Sequence, residues 1–144
     1  MKRHQFSMEK ILEWRITEED NARKSVLQAQ SKMQQHQQQL TRLVNENTKL
    51  KHEQMKLTEI STLRYNHHLK GLIDEKIVIQ KNAIDQAQSE MEQLQEALIQ
   101  AHKDRKIMEK LKERESVQVL AQAKSEEQKQ LDEIATLQYK KSYF

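Results

Sequence analysis

The side chains best suited to chemistry in this sequence are its six histidines, because there is no cysteine to act as a nucleophile or a thiolate ligand. His67 and His68 are adjacent, and neighbours on a helix point about 100° apart. A helical metal pair needs i,i+4 spacing, and no His-Glu-x-x-His element occurs. His36 falls on an apolar stripe, where a polar residue more often sets register than binds a ligand. Lys103, Arg105, Lys106, Lys110, Lys112 and Arg114 gather positive charge, but Asp104, Glu109, Glu113 and Glu115 are interleaved with them. Such mixing marks a solvated face, and no aromatic lies among these residues to stack on bases. The expectation is therefore no catalytic residue, no metal, no cofactor and no nucleic-acid partner. Contact chemistry is what remains. Phe6 and Trp14 lie near one terminus and Tyr139, Tyr143 and Phe144 near the other, and aromatic side chains are common anchors of protein interfaces.

Whatever positions these groups is helical. The 144 residues include no proline and one glycine, Gly71; 35% are hydrophobic, 4% aromatic and 33% charged. That is too little apolar matter for a globular core. The net charge of only +3 argues against a self-repelling disordered chain, and Gln, Glu, Lys, Leu, Ala, Met and Arg are strong helix formers.

Alternating steps of four and three link Met8, Leu12, Arg15, Glu19, Ala22, Val26, Ala29, Met33, His36, Leu40, Leu43, Asn47, Leu50, Gln54 and Leu57. A second series runs Ile73, Ile77, Gln80, Ile84, Ala87, Met91, Leu94, Leu98, Ala101, Arg105 and Met108. Such heptad stripes bury themselves against another helix. The spacing lapses between Thr58 and Asn66, where Ser61 or Thr62 is suited to capping a second helix; Gly71 is a rival turn site. After Met108 the pattern drifts, then resumes around Leu120, Ala123, Leu131, Ile134 and Leu137.

The reading is all-α: a single domain over residues 1–144 forming a long two-helix antiparallel coiled-coil hairpin. Its helices are expected at about 4–57 and 62–141, with a turn at about 58–62. At 1.5 Å per residue they would span ~80 Å and ~120 Å, leaving an overhanging C-terminal helix. The competing architecture is one continuous rod that dimerises in parallel.

The longest apolar runs, such as Ile77-Val78-Ile79, are far shorter than the ~20 residues that cross a bilayer. The basic start Met1-Lys2-Arg3-His4-Gln5 precedes no apolar stretch, so no signal peptide is expected. The chain is expected in the cytoplasm, without direct membrane insertion.

Both ends of the sequence resemble a known family. The stretch Phe6-Ser7-Met8-Glu9-Lys10-Ile11-Leu12-Glu13-Trp14-Arg15, followed by Glu18-Glu19-Asp20-Asn21-Ala22, is similar to the start of the bacterial flagellar export protein FliJ family. So are Met108 to Arg114 and Glu126 to Ala135. The middle is loosely similar, through Tyr65 to Leu69 and Ile73.

The resemblance implies a non-enzymatic stalk of the flagellar type III export apparatus, peripheral at the cytoplasmic face of the inner membrane. Its paired termini would insert into the export ATPase ring, with Phe6, Leu12, Trp14, Leu131, Ile134 and Leu137 as contact candidates. A surface nearer the turn would meet the export-gate membrane protein through Leu43, Leu50, Leu69, Ile73 and Gln80. Export chaperones are further implied partners. The alternatives are a coiled coil that only self-associates and the equivalent stalk of a virulence type III secretion system.

Overall fold

A computed structural model describes residues 5–143, with side chains described through Lys141. It contains two helices, α1 from Glu9 to Lys56 and α2 from Ile60 to Tyr143, and no strand among the described residues. The helices pack antiparallel, so the fold is an all-α helical hairpin. Within them, hydroxyls that would otherwise disfavour a helix interior are satisfied locally. Thr17, Ser25, Thr41, Thr48 and Thr136 each donate to the carbonyl four residues earlier, at 2.8–3.1 Å.

The reversal takes three residues, Leu57 to Glu59. Leu57 N–H donates to the Gln54 carbonyl at 3.4 Å, and Leu63 N–H to the Glu59 carbonyl at 3.0 Å. Glu59 thus stands at the cap position expected for Ser61 or Thr62; the Thr62 hydroxyl instead donates to the Glu59 carbonyl at 2.9 Å. The turn contains no glycine or proline, and no described residue adopts a positive φ. Gly71 lies inside α2, where an added Cβ would meet nothing within 4 Å. Gly71→Ala is expected to raise the thermal midpoint, stabilising the hairpin by about 1 kcal/mol through helix propensity alone.

The chain divides into two compact units. One comprises Asp20–Gln100; the other joins the part of the chain up to Glu19 to the part from Ala101 onward. In the Asp20–Gln100 unit, Val26, Met33, Leu43 and Ala87 are buried, and the remaining apolar members of both stripes are half-buried. The stripe does not lapse in α2. Leu63, Asn66 and Lys70 carry the seven-residue rhythm into Ile73, and Asn66 is only 5% exposed. A polar residue had concealed the pattern. Leu57, which closes the α1 stripe, lies six residues before Leu63, whereas the α1 rhythm would next reach residue 61.

In the other unit, Phe6, Leu12 and Met108 form a buried cluster. Phe6 precedes α1, and its carbonyl accepts the Glu9 N–H at 3.1 Å. Its ring covers the first helical turn much as a hydrophobic staple does. Glu115 receives both the Ser7 N–H and the Ser7 hydroxyl, at 3.2 and 3.3 Å. A carboxylate from α2 therefore sits where the positive end of the α1 dipole favours an anion. Met8, the expected first member of the stripe, is exposed. The drift after Met108 is a change of residues within an unbroken helix: Glu115 and Val119 take half-buried positions while Leu111 turns outward.

Candidate interaction surface

The polar members of the stripes form pairs across the seam. Glu19, only 3% exposed, accepts from Arg105 Nε and lies 3.0 Å from His102 Nδ1. Arg105 also reaches Glu109 at 2.5 Å. The hydrogen bond from Arg105, then that from His102, holds the Glu19 carboxyl below the usual carboxylate range. The same bond raises Arg105 further, with Glu109 adding to it. One turn away, Arg15 pairs with Asp104 at 3.2 Å, and its guanidinium lies 4.6 Å from the centre of the Trp14 ring.

In the Asp20–Gln100 unit, Gln80 Nε2 donates to the His36 carbonyl at 2.9 Å and faces His36 Nδ1 at 3.0 Å. Asn47 donates to Asp74 at 2.9 Å. His67 and His68 are exposed, and no group of three or more metal-ligating side chains occurs among the described residues.

The six residues named for ring contact fall into two kinds. Phe6 and Leu12 are buried within the hairpin, so they hold its terminal end together and present no contact surface. Trp14 is 52% exposed, and Leu131, Ile134 and Leu137 are exposed as well. The turn-side set belongs to the seam: Leu43 is buried, Leu50, Leu69 and Ile73 are half-buried, and Gln80 is engaged with His36. Leu50, Leu69 and Ile73, with Glu46, Lys49 and Glu53, also edge a shallow open groove. Tyr139 is exposed, while the Tyr143 side chain and Phe144 lie outside the described residues.

Other exposed apolar residues escaped the heptad reading because they lie off the seam. Ile11 accompanies Trp14 on α1, with Ile107 and Leu111 on α2 at the level bracketed by the Glu9–Lys112 and Arg15–Asp104 pairs. Apolar residues out of phase with the stripe are the signal that would have found them.

Every described side chain from Leu120 to Lys141 is exposed. Continuing the seam past Val119 would bring Gln122, Glu126, Lys129, Glu133, Thr136 and Lys140 inward, all polar. Leu120 and Ile134 each follow a seam position by one residue, which turns their stripe by about 100°. The overhang therefore carries an apolar face of its own. No helix among the described residues is long and apolar enough to cross a membrane.

A narrow antiparallel helix pair whose apolar residues face either each other or solvent is a protein of the contact-making kind. Residues 4–143 match the family model described as flagellar FliJ protein. The chain belongs to the FliJ family, and so is an export-associated coiled-coil protein of the bacterial flagellum. Comparison with curated proteins and with solved structures finds no match to either.

Proposed function

We propose that this chain is the non-enzymatic stalk of the flagellar export apparatus, presenting its terminal end and α2 overhang to the export ATPase ring. The supporting observation is the overhang stripe of Leu120, Leu131, Ile134 and Leu137, which is exposed and out of phase with the hairpin's own seam. Apolar residues placed this way on a 33% charged chain contribute nothing to the hairpin and suit an external partner. Trp14, fixed by Arg15, adds an aromatic anchor on the paired part. Phe6 and Leu12 act indirectly by closing the end that carries it. A slender helix pair enters a pore that excludes a globular domain, and its close packing resists deformation.

The turn-side contact with the export gate would use the half-buried edges of Leu50, Leu69 and Ile73, with Leu43 and Gln80 holding the two helices in place. Work at the cytoplasmic face of the inner membrane, and escort of export chaperones, belong to the same proposal. Calorimetric titration of the chain into the assembled export ATPase tests it. Saturation at one chain per ring is expected, because a ring has one axis. No heat at micromolar concentrations, or several equivalent sites per ring, would contradict the stalk assignment.

A further inference from the structure

We infer that the buried Glu19–Arg105–His102 layer selects the alignment of the two helices, and thereby how much of α2 projects beyond α1. The turn gives little help with this choice, since Leu57-Thr58-Glu59 has no glycine, proline or positive φ to specify where the chain reverses. The apolar members of the stripes discriminate poorly as well, because a heptad slip sets one apolar residue against another. The charged layer is selective.

Slipping α2 by one heptad one way sets Glu19 against Leu98 and Arg105 against Leu12; slipping it the other way sets Glu19 against Lys112 but Arg105 against Val26. Each removes Arg105 from the Glu19 carboxylate, leaves it only Glu109 on its own helix, and sets it against a hydrocarbon side chain, which is unfavourable for a charge that is only 20% exposed. A reversal near Gly71 amounts to about four heptads of slip. It would face Glu19 with Glu133, a like charge, and move Arg105 from its carboxylate to the uncharged Asn47. The Arg105–Glu109 pair lies within α2 and is the same in every alignment, so it does not choose among them, whereas the cross-helix Arg15–Asp104 pair is broken by the same slips. Polar seam residues are known to fix register even where apolar replacements would be at least as stable.

The absence of native cysteine permits a direct test. Spin labels at Glu9→Cys and Lys112→Cys, a pair whose native side chains approach to 3.1 Å, report the alignment of the full chain. The parent should give a single short distance, and Arg105→Lys should preserve it because the charge is retained. With Glu19→Leu and Arg105→Leu combined, a second, longer distance should appear, because one heptad of slip displaces the labels by about 10 Å along the helix axis, at right angles to their present separation. A single short distance in the Leu/Leu chain overturns the inference, and so does a slipped population in Arg105→Lys. Loss of helicity in the Leu/Leu chain by circular dichroism also overturns it, since the layer would then hold the fold itself and not its alignment.

Discussion

Replacing Leu131 and Ile134 together by aspartate is expected to weaken binding to the export ATPase by about two orders of magnitude, with the thermal midpoint of the hairpin unchanged. Both side chains are exposed, and neither belongs to the seam, so the hairpin loses no packing. Apolar anchors near the centre of an interface each cost roughly 1–2 kcal/mol or more when removed, and a buried carboxylate adds a desolvation penalty. Calorimetry against the ATPase and a thermal melt of the free chain check the two halves separately. Unchanged affinity would move the ATPase contact away from the overhang.

Leu43→Asp should have the opposite signature. Leu43 is buried between the helices of the Asp20–Gln100 unit, so an aspartate there both removes aliphatic packing and places a carboxylate without a partner in the seam. The expected cost is about 3 kcal/mol or more, read as a marked fall in the thermal midpoint by circular dichroism. Any weakening of a gate contact should then track the fraction of folded chain. If Leu43→Asp instead melts like the parent and fails only in binding the gate protein, the residue acts as a contact and the seam assignment fails.

The contrast shows which parts of the molecule were legible from sequence. Periodicity located the seam because burial between two helices imposes a seven-residue rhythm: Leu12, Val26, Met33, Leu43, Ala87 and Met108 all became buried. It could not distinguish a polar interruption from a polar partnership. Glu19 and Arg105 each break a stripe when read alone, and their meaning depends on a contact 86 residues apart in sequence. Asn66 hid a continuous stripe because it is a polar residue at a buried position of the rhythm. Phe6 was legible as an aromatic near a terminus but not as a core residue, because it precedes α1 and follows no helical period. The outward face of Ile11, Trp14, Ile107 and Leu111 required knowing which residues of α2 stand level with which of α1.

The six-residue step from Leu57 to Leu63 bears on how copies of this chain behave toward one another. On an unbroken helix, a stripe displaced by two residues from its rhythm is turned by about 200°. If the reversal straightened, the two halves would direct their apolar faces in nearly opposite directions, and a neighbouring molecule could cover only one of them. Exchange of arms between molecules, a common hazard for short hinges, thus meets a geometric obstacle that a chain with an uninterrupted stripe would lack. The misphased junction thus disfavours arm exchange between copies of this chain.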